Sequence, residues 1–193
     1  MAIACGIALL AGFAALQVFA PHGQPDPAIG EWRVYGGDAR GDRYSELDQI
    51  TPSNVVTLAE AWRVDTGPGG LQTSPLMAGG TLYVLTPDQA VLALDPGTGA
   101  QRWKYTPADG GQQPVRGLAY WQAENRRALF TSHGTSLTAL DPASGVPIDT
   151  FGKRGSIDLR EGLGREAGQI PVFLTTPGAV YRDLVIVGFR TSE

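Results

Sequence analysis

"VLALDPGTGAQRWKY" runs from Val91 to Tyr105, and "SLTALDPASGVPIDTF" echoes it from Ser136 to Phe151. At the centre of the first stretch, Asp95-Pro96-Gly97-Thr98-Gly99 has the chemistry of a tight connection. Proline presets φ, the Asp95 carboxylate accepts from backbone N–H groups ahead of it, and glycine takes left-handed angles. Apolar strands therefore flank a turn. Beyond the turn Trp103 and Tyr105 alternate with Arg102 and Lys104, which puts large aromatic surface on one face of a strand. That face is expected to pack between neighbouring repeats. In the second copy Asp149 stands where Trp103 would, leaving Phe151 opposite Tyr105. The repeated words are turns and packing, not catalysis.

Around the turn, "TLYVLT" (81–86), "AVLALD" (90–95) and "AQRWKY" (100–105) are three apolar-alternating runs separated by turn formers. "RALFTS" (127–132), "SLTALD" (136–141) and "GVPIDTF" (145–151) repeat the order. A further register matches "TSPLMAGGTLYV" (73–84) to "TTPGAVYRDLVI" (175–186), aligning Thr73 with Thr175 and Pro75 with Pro177. Periods of roughly 40–50 residues with three or four strands each predict a β-propeller. Upstream, "TPSNVVTLAEAW" predicts a short helical turn with Thr51 as N-cap and Pro52 at the first helical position.

The chain has 193 residues, 26 of them Gly and 14 Pro, a turn-rich composition that is not that of a disordered chain. Its net charge is −4 and its 15 Lys and Arg are scattered, so no nucleic-acid groove is indicated. Cys5 is the only cysteine, which excludes an internal disulfide and a cysteine-based zinc site. Gly-rich phosphate loops, a Ser/His/Asp order and metal-spaced His pairs are missing, so nucleotide-dependent and hydrolytic chemistry lack support.

"MAIACGIALLAGFAALQVFA" (1–20) has no charge, and the first charged side chain is Asp26. About 19 apolar residues at a rise of about 1.5 Å span roughly 28 Å, near the thickness of a bilayer core. The segment reads as an uncleaved membrane anchor, an N-terminal hydrophobic helix. A cleaved signal peptide is the competing reading, since Val18-Phe19-Ala20 has a small-residue cleavage look, and a buried core helix is the third. Against cleavage stand the missing basic n-region and Pro21. Residues 21–30 read as an extended linker and 31–193 as the β-rich body.

"LYVLTPDQAVLALDPGTGAQRWKY" resembles the pyrroloquinoline-quinone repeat. "YGGDARGDRYSELDQITPSNVVTLAEAW" (35–62) resembles the N-terminal signature of membrane-bound quinoprotein dehydrogenases of the glucose and quinate type. "RGLAYW" (116–121), "FGKRGSIDL" (151–159) and "TTPGAVYRDLVIVGFRTSE" (175–193) continue the match in order. The resemblance implies an all-β fold, a partial β-propeller of about three blades out of the family's eight, and hence an N-terminal fragment. It also implies oxidation of a sugar, alcohol or polyol hydroxyl with pyrroloquinoline quinone (PQQ) and Ca²⁺ or Mg²⁺. Electrons would pass to ubiquinone, with the propeller on the periplasmic side of a bacterial inner membrane. The family's catalytic aspartate falls beyond Glu193, so the fragment alone is expected to be inactive.

Site residues follow from the same resemblance. Arg116 matches the family's cofactor-contacting arginine, and a guanidinium gives a charge-assisted, bidentate grip on a quinone carboxylate. Glu193 matches a carboxylate on the active-site cation, where a hard divalent ion takes oxygen ligands. Thr175 is placed to hydrogen-bond the quinone, against a generic strand role suggested by Thr73 at the same repeat position. Gln72 precedes the equivalent start and is expected to face the same pocket. The stacking groups of relatives, a cysteine pair or a histidine, are replaced here by Gly110-Gly111 and Gln112. His133 reads as an ordinary turn residue. The rival readings are a non-catalytic PQQ-repeat scaffold of the cell envelope and a degenerate remnant with no stable product.

Overall fold

The computed structural model describes residues 30–108, 115–163, 166 and 172–191. Apart from a 3₁₀ turn at Val55–Thr57, the regular structure there is all strand. In chain order the strands are β1 (Leu76–Ala78), β2 (Thr81–Leu85), β3 (Val91–Leu94), β4 (Gln101–Tyr105), β5 (Ala119–Ala123), β6 (Arg126–His133), β7 (Ser136–Leu140), β8 (Ser156–Asp158), β9 (Val172–Phe173), β10 (Ala179–Tyr181), β11 (Leu184–Ile186) and β12 (Arg190–Thr191). Two four-stranded antiparallel meanders result, β1-β2-β3-β4 and β5-β6-β7-β8. A third unit holds the pairs β10-β11 and β9-β12. The strands expected at 81–86, 90–95, 100–105, 127–132 and 136–141 form as β2, β3, β4, β6 and β7. Residues 1–29, with the expected hydrophobic helix, lie outside the described residues. Among the described residues no helix is long and apolar enough to cross a membrane.

The repeated turn is built as its residues dictate. Asp95 Oδ1 accepts from the backbone N–H of Gly97 and of Thr98 and from Thr98 Oγ1, each at 3.0 Å. Asp141 Oδ1 does the same with Ala143 N (2.9 Å), Ser144 N (2.9 Å) and Ser144 Oγ (3.0 Å). The Arg102 guanidinium bonds Asp95 Oδ2 at 2.8 Å and, with the turn donors, holds that carboxyl below its usual range. Each turn closes on a left-handed glycine, Gly99 (φ 71°) and Gly145 (φ 73°).

These turns also act as seats. Trp62 Nε1 donates to the Pro96 carbonyl at 3.0 Å, and Trp103 Nε1 donates to the Pro142 carbonyl at 3.0 Å. A Cβ on Gly99 would meet the Trp62 ring at 2.7 Å, and one on Gly145 the Trp103 ring at 2.5 Å. An indole from an earlier part of the chain therefore packs against each turn, from the lead-in segment in the case of Trp62 and from the preceding unit in the case of Trp103, and only glycine leaves room for it. The expectation that Trp103 and Tyr105 pack between repeats is met: both lie against a core shared by the first two units.

That core joins Leu76, Tyr83, Leu85 and Val91 to Leu118, Tyr120, Leu129 and Leu140. Leu129 and Leu140 are fully buried, and each such side chain contributes about 1.5–3 kcal/mol. Tyr83 lies 5.9 Å from Trp103 and 6.3 Å from Tyr120, and its hydroxyl donates to the same Pro142 carbonyl at 3.1 Å. A second core links Phe130, Leu137 and Ala139 to Leu174, with Val180 and Val185 of the third unit packed on it. The opposite faces of β10 and β11 are open, leaving Tyr181, Leu184 and Ile186 exposed.

One expected strand is absent. Residues 145–151 do not form the last strand of the second unit; β8 at Ser156–Asp158 does, pairing Ser136 with Asp158 and Thr138 with Ser156. Pro147, which has no N–H to give a ladder, makes only an isolated bridge to Leu140. The chain then loops so that Phe151 packs edge-on against Phe130 at 5.4 Å. The helical turn forms later than expected. Asn54 is its N-cap, while Thr51 contributes its carbonyl to Val55 N at 3.0 Å.

Candidate functional site

The backbone before β5 is anchored: Val115, Gly117 and Leu118 are buried, and Val115 and Leu118 belong to the first core. Between them Arg116 is exposed. Its backbone N–H donates to the Thr175 carbonyl at 3.0 Å, which ties the start of the second unit to that of the third. A Cβ on Gly117 would sit 3.3 Å from Pro177, so the two lead-in segments touch closely. The Arg116 guanidinium makes no hydrogen bond or ion pair with the described residues, and neither does the half-buried Thr175 hydroxyl. Two of the expected cofactor residues are thus neighbours, one offering a fork of N–H donors and the other a hydroxyl.

Hairpin geometry corrects the repeat alignment by one residue. Ala78 pairs with Thr81 and Tyr181 with Leu184, so equivalent positions are 103 apart, not 102. The equivalent of Thr73 is Thr176. Thr73 Oγ1 donates to the Leu85 carbonyl at 3.4 Å, and Thr176 Oγ1 to the Gly188 carbonyl at 3.2 Å. The generic strand role therefore belongs to Thr73 and Thr176, and Thr175 is released from it. Thr175 is instead equivalent to Gln72, which is exposed and makes no side-chain hydrogen bond among the described residues. The β5–β6 hairpin, where Ala123 pairs with Arg126, puts Gly117 at the same position in the second unit. Gln72, Gly117 and Thr175 thus stand at one place in three successive units, and counting back from each two-residue hairpin loop is the signal that finds them.

Glu193, Gly110, Gly111 and Gln112 lie outside the described residues. Among the described residues no group of three or more His, Cys, Asp or Glu is placed to hold a metal ion. His133 ends β6, with its Nε2 3.3 Å from Thr138 Oγ1, as a structural residue would be. The donor types of Arg116 and Thr175, on neighbouring backbone segments, fit a group that carries a carboxylate, because a guanidinium and a hydroxyl both supply donors.

The family described as "PQQ: Glucose/ethanol/alcohol dehydrogenase, beta-propeller domain" matches residues 32–193. The glycerol dehydrogenase large subunit of Gluconobacter oxydans (strain 621H) is 30% identical over 90% of this chain and 26% of its own length. Quinoprotein glucose dehydrogenase A of Acinetobacter calcoaceticus is 28% identical over 88% of this chain and 25% of its own. Among solved structures, the quinohemoprotein alcohol dehydrogenase of Comamonas testosteroni matches with a TM-score of 0.67 and 27% identity, over 83% of this chain and 23% of its own. The chain thus spans about a quarter of the length of the curated relatives it matches.

Proposed function

The chain belongs to the PQQ β-propeller family of glucose, ethanol and alcohol dehydrogenases, and from that premise we propose that it supplies about three blades of an eight-bladed quinoprotein dehydrogenase. The whole protein oxidises a sugar, alcohol or polyol hydroxyl and passes the electrons to ubiquinone. Residues 1–20 anchor it to a bacterial inner membrane, with the propeller on the periplasmic side. The isolated chain does not turn over substrate.

The single observation behind the site is the 3.0 Å backbone bond that makes Arg116, whose guanidinium has no partner among the described residues, a neighbour of Thr175. Bound PQQ supplies a two-electron acceptor for the hydride of the substrate's carbinol carbon. Arg116 would hold one of its carboxylates through paired N–H donors, and Thr175 would offer its hydroxyl as a further donor to the cofactor. Gln72, at the equivalent position of the first blade, presents its amide to the same ligand. Glu193 is the proposed carboxylate ligand of Ca²⁺ or Mg²⁺. The anchored backbone on both sides of Arg116 orients the cofactor, which is the protein's main contribution to such chemistry.

The test is a titration of the full chain and of Arg116→Ala with PQQ in the presence of CaCl₂, followed by fluorescence quenching. Loss of a charged hydrogen bond worth about 1.5–3 kcal/mol predicts binding weaker by about 10- to 100-fold. The melting temperature should stay unchanged, because the side chain is exposed and unpartnered. Equal, negligible binding by both proteins would favour the non-catalytic scaffold.

A further inference from the structure

At the end of the sheets opposite Arg116, a groove of about 350 Å³ lies between the first two units. Arg116 and Thr175 precede β5 and β10, the first strands of their hairpins, whereas the groove is bounded by the far ends of β1 and β5, at Gly79 of the β1–β2 hairpin and Asn125 of the β5–β6 hairpin. Tyr83 and Tyr120 line it, as do Arg102 and Arg127.

The charges at this groove are unequally used. Arg102 is committed to Asp95 Oδ2 at 2.8 Å and to Thr81 Oγ1 at 2.6 Å. Asp141, also on the wall, spends its Oδ1 on three donors of its own turn. Among other arginines, Arg40, Arg63 and Arg160 pair with carboxylates and Arg43, Arg126 and Arg182 lie over aromatic rings, while Arg33, paired with Glu31, also lies 5.9 Å from the centre of the Tyr120 ring. Arg127, exposed at the rim, forms no close ion pair and lies over no ring among the described residues, its charge being felt at longer range by Glu31. The exposed Asn125 amide makes no hydrogen bond among those residues. The Tyr120 hydroxyl has only a contact to Gln122 at 3.5 Å, at the limit of a hydrogen bond. Burial keeps the Tyr83 and Tyr120 phenols protonated, so Tyr120 is a donor over the usual pH range.

We propose that this groove is a second ligand site, which takes the carboxylate of a small organic acid on Arg127, Asn125 and Tyr120. A guanidinium fork, an amide N–H and a phenol O–H are donor groups complementary to one carboxylate, and a singly charged ligand meets less repulsion from the carboxylates nearby than a doubly charged one. A doubly charged phosphate is disfavoured by Asp141 on the same wall and by Glu31, whose carboxylate lies near enough to Arg127 to have its pKa lowered by that cation.

The experiment is calorimetric titration of the full chain with sodium benzoate and, separately, with inorganic phosphate. Benzoate should bind once per chain, and Arg127→Ala should weaken it at least tenfold. Tyr120→Phe keeps the ring and removes only the hydroxyl, and should weaken it by a few-fold. Arg116→Ala should leave benzoate binding as it was, which separates this groove from the proposed cofactor site. Thermal melts within a few degrees of the parent show that the Arg127 variant is folded. Benzoate binding unchanged in Arg127→Ala, no benzoate binding at all, or phosphate binding as tightly as benzoate would each overturn the proposal.

Discussion

Gly145→Ala is expected to destabilise the chain by about 2–5 kcal/mol, read as a fall in the urea midpoint at constant slope. Two effects combine. At φ 73° an L side chain is strained, which costs about 1–2 kcal/mol. The new methyl would also stand 2.5 Å from the Trp103 ring, and overpacking of that kind costs about 1–3 kcal/mol. Gly134 separates the two contributions. It has φ 53° but nothing within 4 Å of a built Cβ, so Gly134→Ala should show the backbone cost alone. Equal losses at the two glycines would show that the indole seat is not tight.

Trp103→Ala should cost about 3 kcal/mol, the low end of the range for removing a large aromatic side chain from a core, because the indole is only partly buried. The indole fills the junction beside Tyr83, and its N–H and the Tyr83 hydroxyl share one acceptor, the Pro142 carbonyl. Trp103→Phe keeps one aromatic ring but loses the pyrrole ring and its N–H donor, so about 1 kcal/mol of the loss should remain for that hydrogen bond, with more for the poorer fit. The pair can be tested as a cycle. In the Trp103→Ala background the Gly145 methyl meets no ring, so Gly145→Ala should then cost no more than its backbone strain. Additive losses, measured by urea unfolding, would contradict the seat.

Much of this was legible in the residues because the decisive signals are local. An Asp-Pro-x-Thr/Ser-Gly turn is specified by side-chain acceptors and left-handed glycines within five residues, and both copies form it. Alternating apolar runs became β2, β3, β4, β6 and β7 for the same reason. What failed was register across irregularities. The loop after Pro147 displaces β8 to Ser156–Asp158, and nothing in the alternation of 145–151 reveals that its partners lie later. The one-residue slip between Thr73 and Thr175 arose because Thr175 and Thr176 are identical in type, and only hairpin pairing tells them apart. At the site, Arg116 and Thr175 were each named by resemblance, but their backbone contact is a long-range event that no local pattern encodes. The indole seats are similar. Trp62 and Trp103 are visible in the sequence, yet their acceptors lie 34 and 39 residues downstream.

The direction of those seats has a consequence for biosynthesis. In both cases the tryptophan is upstream and the turn that receives it is downstream, so the ribosome releases each of these two indoles before its berth exists. At about 5–20 residues per second the wait is a few seconds, during which a large aromatic face is bare. Each of these two turns is therefore expected to capture a ring made before it, which favours growth of the body from its amino-terminal side.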